Sequence, residues 1–535
     1  MKIALAQLNL SIGGIEANAD KIIHSINHAR DSLQADLIVF SELALTGYPP
    51  EDLLFNHACQ ARVAKALASI IHATQGIDVV LGYPRYANNV IYNSACLIQN
   101  GRLEASYDKQ LLPNYAVFDE RRYFKPGSHP LVFSSNGIKF GLLICEDIWG
   151  SRPATLAKQA GAEILLSIHA SPFESGKSAK RHRVARKRVI ETNLALIYLP
   201  SVGGQDELVF DGAGFAMNSK GDIAHSLPQF AEAITVINVE KSVSGVEPLA
   251  GTTAATLAPL DEIYQALVFA LHDYIEKNHF PGVLIGLSGG IDSALTLAIA
   301  VDALGADRVE AILMPSRYTA DMSNEDAIAQ AKAMQVAYQV IPIEPIFESF
   351  TQSLSQVFAG QPLDLTEENL QARCRGTLLM ALSNKFGKLV LTTSNKSESA
   401  VGYSTLYGDM AGGFSLLKDI YKTEVYQLAK FRNAISPIIP ERVITRAPSA
   451  ELRSNQTDQD SLPDYGVLDS IIKAYIEDNL SETEIVAQGH AFDTVTKVIR
   501  LIKRSEYKRR QAPIGPKISI RAFGKDWRAP ISSGF

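Results

Sequence analysis

The chain is expected to be an α/β protein of two domains, residues 1–245 and 261–535, joined by a linker over 246–260. Three observations predict this. Short apolar runs alternate with segments of helical period in both halves, the pattern of sheets covered by helices. The stretch Ser242 to Pro259, SVSGVEPLAGTTAATLAP, is rich in small residues, carries proline and lacks periodicity, as a connection between domains does. The 535 residues also exceed what one hydrophobic core holds.

In the first half, strands are expected at Lys2–Gln7, Leu37–Phe40, Val79–Gly82, Ser94–Gln99, Phe140–Ile144, Ile164–Ser167 and Ala195–Leu199. Helices are expected at Asn18–Ser32, Cys59–Thr74, Ala154–Ala160 and Ser178–Asn193. In the second half, Asp261–Asn278 reads as an amphipathic helix. It leads into apolar runs at Val283–Leu287, Val309–Met314, Tyr338–Pro342 and Leu389–Thr393. Apolar strands alternating with helices predict a doubly wound parallel sheet with ligands at its carboxyl ends.

With 46% hydrophobic and 20% charged residues, the composition is that of an ordinary globular protein. A net charge of −6 disfavours a general nucleic-acid binder. No apolar run is long enough to span a bilayer, so no membrane partner is expected. The opening MKIALAQLNLSIGG has no basic leader or cleavage site and reads as a first strand. Cys59, Cys96, Cys145 and Cys374 fit neither a zinc spacing nor a disulfide framework, which points to a reducing, cytoplasmic compartment.

Three strand ends of the first half carry reactive side chains: Glu42 after Leu37-Ile-Val-Phe-Ser, Lys109 in Tyr107-Asp-Lys-Gln-Leu-Leu-Pro, and Cys145 after Gly141-Leu-Leu-Ile. Singly, each has a plain structural explanation: an inert core cysteine, or solvated loop charges. Together they supply a nucleophile, a cation to stabilise an oxyanion and a base for the thiol proton. These segments resemble the nitrilase superfamily, an α-β-β-α sandwich that hydrolyses carbon–nitrogen bonds through a thioester. The resemblance implies that Glu42 is the general base, Lys109 the intermediate stabiliser and Cys145 the nucleophile. Glu120 is either a supporting carboxylate or a surface charge paired with Arg121 or Arg122.

Glutamine-using members of that superfamily grip their substrate at positions equivalent to Tyr115, Ser171 and Lys177. Ser171 reads equally as a turn residue before Pro172. The basic run Lys177–Arg188 has helical spacing and no aromatic residues, so a solvated or interface helix is expected rather than a nucleic-acid surface.

The second half opens with VLIGLSGGIDSALTLAIAVDALG, a buried strand, a glycine turn and an apolar helix. Backbone N–H groups converge at such a helix start, and glycines let phosphate oxygens approach. Asp292 would repel bare phosphate, which implies a bridging Mg²⁺; Glu398 is the candidate second carboxylate, or else an ordinary residue in the first turn of a helix. The loop lacks the Gly-Lys-Ser/Thr ending of the common phosphate loop. It resembles the pyrophosphate loop of the ATP pyrophosphatases, with a fold of the adenine-nucleotide α-hydrolase type. Further segments at Asn369–Arg375, Thr392–Glu398, Ala447–Leu452 and Tyr507–Lys517, joined to the nitrilase-like half, resemble the family of glutamine-dependent NAD synthetases over nearly the whole chain.

That resemblance implies ATP contacts at Gly286, Leu287, Ser288, Gly289, Gly290, Ile291, Asp292, Ser293, Thr393, Lys422 and Ser449. It implies Mg²⁺ at Asp292 and Glu398, and deamido-NAD contacts at Asn369, Glu398 and Lys517, with Lys508 a further candidate. ATP, deamido-NAD and glutamine are the expected small-molecule partners, and a homo-oligomer is the expected assembly. The Tyr407-Gly-Asp-Met-Ala-Gly-Gly segment and Tyr507-Lys508 depart from the ammonia-only members of the family. Two other readings stay open on the residues alone: an amidotransferase acting on a purine nucleotide or aspartate, and a non-catalytic scaffold with a degenerate first half.

Overall fold

The computed structural model describes residues 1–243, 245–453 and 456–534; Ser244, in the stretch read as a linker, lies outside them. The chain divides into two compact units, Met1–Leu257 and Ala258–Phe535.

The first unit contains two large sheets. The seven-stranded sheet runs in the order Gly245–Pro248, Ala233–Ser242, Lys2–Gln7, Leu37–Phe40, Asp78–Ala87, Val90–Gln99, Arg102–Asp108. The six-stranded sheet runs Ile223–Ser226, Phe215–Met217, Ala195–Pro200, Ile164–His169, Ile138–Ile144, Leu131–Ser135. The side-chain period of two explains the layering. Ile3 and Leu5 pack into the layer between the sheets with Leu142, Ile144, Leu166 and Ile168. Ala4 and Ala6 face the opposite way, against Ile22 and Ile26 of helix Ile15–Asp31 and Val63 and Ile70 of helix His57–Ala73. On the other sheet Leu143, Leu165 and Leu196 meet Ala154 and Ala157 of helix Ser151–Gln159, and Ala185 and Val189 of helix Lys177–Thr192. Four layers, α-β-β-α, result, and the central strands are apolar throughout because both of their faces are covered.

Gly245–Pro248, which runs into the expected linker, is an edge strand: Val246 pairs with Lys241 and Pro248 with Val239. Helix Lys177–Thr192 is not simply a solvated basic helix. Arg181 is buried on it, and its Nη1 donates to Asp211 Oδ1 at 2.7 Å and Oδ2 at 2.8 Å.

The second unit is built on a five-stranded parallel sheet in the order Ala337–Val340, Val309–Leu313, Val283–Gly286, Leu389–Thr392, Phe414–Ser415. The chain winds outward from Val283–Gly286 on one side and then crosses to Leu389–Thr392 on the other. The switch point therefore falls between those two strands, where a doubly wound sheet opens its ligand crevice. Helix Ile291–Leu304 is buried on nearly all sides, which accounts for its almost unbroken apolar sequence. A separate helical core gathers Leu468, Ile471 and Ile472 of helix Tyr465–Ile476 with Val495, Val498 and Ile502 of helix Phe492–Arg504.

Candidate active sites

In the first unit, Glu42 follows strand Leu37–Phe40, Lys109 follows Arg102–Asp108, and Cys145 follows Ile138–Ile144. The fold brings the three together. Lys109 Nζ donates to Glu42 Oε1 at 2.7 Å and to Glu120 Oε1 at 2.8 Å, with both the Lys109 and Glu42 side chains fully shielded from solvent. Asn93 Nδ2 donates to Glu42 Oε1 at 2.7 Å, and the Ala170 backbone N–H to Oε2 at 2.8 Å. Tyr48 donates to Glu120 Oε1 at 2.9 Å. Glu120 is thus a buried partner of Lys109, not a surface charge.

Burial would strip the Lys109 ammonium of its proton, but the Glu120 and Glu42 carboxylates outweigh it and hold the group well above its usual range. Burial, with the Glu42 charge beside it, pushes Glu120 up to about 7. Burial and the Glu42 carboxylate drive the Cys145 thiol well above its ordinary value, while Lys109 pulls the other way. That direction favours the thiol form, so a nucleophilic role for this sulfur would require a base for its proton. Cys145 also has φ +46°, a left-handed conformation that a residue with a Cβ adopts only where its surroundings enforce it.

Of the residues expected to hold glutamine, Tyr115 is exposed and donates to Glu146 Oε2 at 3.0 Å. Ser171 is buried, and its carbonyl accepts from Arg181 Nη2 at 2.8 Å. Lys177 begins helix Lys177–Thr192, 3.9 Å from Glu174 Oε2.

In the second unit, a cavity of about 280 Å³ opens at the carboxyl ends of the strands. Gly286, Leu287, Ser288, Gly290, Ile291, Asp292 and Ser293 line it, with Thr393, Glu398, Lys422 and Ser449. Ser293 Oγ accepts from the Ser288 N–H at 3.3 Å and donates to Gly290 O at 3.0 Å, which folds the loop back on its helix. Gly289 is not among the lining residues. Its φ is +80°, and a Cβ there would lie 2.2 Å from Ser323 O, so the turn admits only glycine.

Lys422 Nζ donates to Asp292 Oδ2 at 2.5 Å and to Glu398 Oε1 at 3.3 Å. It is the first residue of helix Lys422–Ile435, where the helix dipole opposes a cation, so the two carboxylates are what hold it there. Asn395 caps helix Lys396–Val401 by accepting from the Glu398 N–H at 3.0 Å, and its Nδ2 donates to Asp292 Oδ1 at 2.9 Å. Burial pushes Glu398 up to about 8, with Asp292 adding to the rise and Lys422 opposing it. Two hard carboxylates facing one cavity fit a divalent cation that takes its remaining ligands from phosphate and water. Among the described residues no group of three or more His, Cys, Asp or Glu forms a closed metal site.

Asn369 is not a lining residue, but its Oδ1 accepts from Thr405, which is. The structure does not bring Lys517 to the cavity. Its buried ammonium donates to Ser519 O at 2.6 Å and Ile520 O at 3.1 Å, and lies 3.4 Å from Asp526. Lys508 is likewise engaged, by the carbonyls of Gly402 and Ser404. The sequence reading missed Asn93, Tyr48 and Asn395, and the cavity residues Arg446 and Asp458. Asn395 had a signal, the capping-box spacing to Glu398; the others are single polar residues without a local pattern.

A hydrolase of carbon–nitrogen bonds joined to a nucleotide-binding α/β unit is the class that this fold defines. Residues 2–246 match the carbon-nitrogen hydrolase family and residues 263–512 the NAD synthase family. The chain is 50% identical over 540 residues to the glutamine-dependent NAD(+) synthetase of Acinetobacter baylyi, covering 100% of this chain and 98% of that one. It is 49% identical over 539 residues to that of Xanthomonas campestris pv. campestris, with the same coverage. A solved structure of the Acinetobacter baumannii glutamine-dependent NAD+ synthetase in complex with ADP superposes with a TM-score of 0.81 at 47% identity, covering 99% of this chain and 98% of that one. The chain belongs to the glutamine-dependent NAD(+) synthetase family. Among the described residues, no helix is long and apolar enough to cross a membrane.

Proposed function

We propose that the chain hydrolyses glutamine to glutamate and ammonia in its first unit and uses that nitrogen in its second to amidate deamido-NAD to NAD, with ATP cleaved to AMP and pyrophosphate. The observation that carries this reading is the occurrence, in one chain, of the shielded Lys109–Glu42 pair at the Cys145 turn and the Asp292–Lys422–Glu398 group facing a cavity.

In the first reaction, Cys145 sulfur attacks the side-chain amide carbon of glutamine. Glu42 takes the thiol proton and returns it to the departing ammonia. Lys109 neutralises the oxyanion, and its ties to Glu42 and Glu120 fix it in advance of the reaction. Water, deprotonated by Glu42, then cleaves the thioester. Tyr115, Ser171 and Lys177 are the proposed glutamine contacts.

A carboxylate is a poor acyl donor, which is why ATP is needed in the second reaction. The nicotinate carboxylate of deamido-NAD attacks the α-phosphorus of ATP, pyrophosphate leaves, and ammonia displaces AMP from the acyl adenylate. The Gly286–Ser293 loop offers backbone N–H groups to the phosphates, with Thr393, Lys422 and Ser449 beside them. Asp292 and Glu398 would hold Mg²⁺, which when bound offsets phosphate charge. Asn369 and Glu398 are the proposed dinucleotide contacts; for Lys517 that role requires its bonds to Ser519, Ile520 and Asp526 to open. A cytoplasmic location and a homo-oligomer complete the proposal; sedimentation showing only the single-chain mass would contradict the oligomer.

Pyrophosphate release in the presence of ammonium tests the substrate assignment. The expected result is release with deamido-NAD and none with xanthylate or aspartate. Release with either of the others instead overturns it.

A further inference from the structure

Asp147 lies two residues beyond Cys145, fully buried, and belongs to none of the groups assigned above. Its Oδ1 accepts from the backbone N–H groups of Gln110 at 3.0 Å and Leu111 at 2.9 Å. Its Oδ2 accepts from the Tyr107 hydroxyl at 2.7 Å and from the Ile144 N–H at 3.1 Å. Gln110 Nε2 reaches the same Tyr107 hydroxyl at 3.2 Å.

One carboxylate therefore grips the chain on both sides of Lys109 and the residue directly before Cys145. These two segments come from different sheets, since Arg102–Asp108 is in the seven-stranded sheet and Ile138–Ile144 in the six-stranded one. Without it, only packing and the bond from the exposed Tyr115 hydroxyl to Glu146 would tie the two segments near the site, and a displacement of about 1 Å between a nucleophile and its oxyanion stabiliser is enough to cost roughly a hundredfold in rate. The left-handed conformation of Cys145 also needs enforcing, and the bond from Ile144 N–H to Asp147 closes the turn that contains it.

We propose that Asp147 is a positioning residue for the glutaminase reaction, holding the Lys109 segment and the Cys145 turn in one fixed register. The proposal rests on the assignment of Cys145 and Lys109 to glutamine hydrolysis. Asp147→Asn keeps the size of the side chain but exchanges one acceptor for a donor that faces other donors.

The experiment uses the full chain. Glutamate formation is measured per reactive cysteine, counted by titration with an electrophilic glutamine analogue, so that misfolded protein drops out of the rate. The expected result for Asp147→Asn is a kcat per titrated site lowered about ten- to hundredfold with KM changed little, and ammonium-driven NAD formation retained. A purely structural role lowers the number of titrated sites and leaves kcat per site unchanged, and that result overturns the proposal. Should Asp147→Asn yield no folded protein, Tyr107→Phe decides: kcat per site lowered several-fold supports positioning, and an unchanged value overturns it. Cys145→Ala is run alongside. If it still hydrolyses glutamine, the assignment of the site itself has failed; if it does not and Asp147→Asn is normal, only the positioning role has.

Discussion

At the scale of residues, the proposed chemistry rests on charges buried where burial alone would neutralise them. Taking Lys109, Glu42 and Glu120 out of water costs several kcal/mol per ion, and their mutual attraction offsets this only in good geometry. Glu120 carries a measurable consequence. Its carboxyl is raised from 4.5 to about 7 by burial. A raised folded-state value means that its contribution to stability is fully present below pH 4.5 and is lost as the pH climbs through 7. The difference in stability between Glu120→Gln and the unmodified chain is thus expected to move in the variant's favour by about 3 kcal/mol between pH 4 and pH 8. Denaturation of the first unit at several pH values checks this; a difference independent of pH contradicts it. In the second unit, Lys422→Met is expected to lower ammonium-driven NAD formation about a hundredfold or more, because the cation beside the cavity is lost. Glutamate formation from glutamine, followed in parallel, is expected to persist.

At the scale of elements, strand ends carry the site and glycines make room for it. Gly82, in strand Asp78–Ala87, lies against the Glu42 segment: a Cβ there would meet Ser41 O at 2.3 Å, Leu43 N at 2.5 Å and Glu42 Cα at 2.8 Å. Gly82→Ala is expected to displace Glu42 and cut glutamine hydrolysis about a hundredfold while ammonium-driven synthesis continues. Parallel assays of glutamate and NAD formation read both, and an unimpaired glutaminase contradicts the expectation. The same elements explain what the sequence made legible. Buried strands such as Leu37–Phe40 and Ile164–His169 announce themselves by apolar runs, and a polar residue just beyond each stands out as a candidate. Arg102–Asp108 does not, because it is an edge strand whose first three residues are exposed and of which only Tyr107 is buried, so it carries no apolar run. Val202–Gln205 is glycine-rich, and Gly245–Pro248 is short and ends in proline, so neither carries a strand pattern. The contacts that position the site, Asn93 to Glu42 and Tyr48 to Glu120, span 51 and 72 residues and have no local trace. The engagement of Lys517 by Asp526 was invisible for a related reason: the tail's own fold decides it.

At the scale of the whole molecule, one chain joins two chemistries with opposite needs. The first unit makes a nucleophile that is mostly protonated, and so unreactive, once free in neutral water; the second unit consumes it, and ammonium salts are expected to serve as a donor there too. In the proposed division of labour, the Cys145 site supplies nitrogen and takes no part in the adenylating chemistry. The measurement that tests it most directly is NAD formation from deamido-NAD, ATP and Mg²⁺, with glutamine or with ammonium as donor, for the unmodified chain and for Cys145→Ala. Cys145→Ala is expected to lose the glutamine-driven rate and keep the ammonium-driven one. Equal loss with both donors, or glutamine-driven synthesis that survives the substitution, would contradict it.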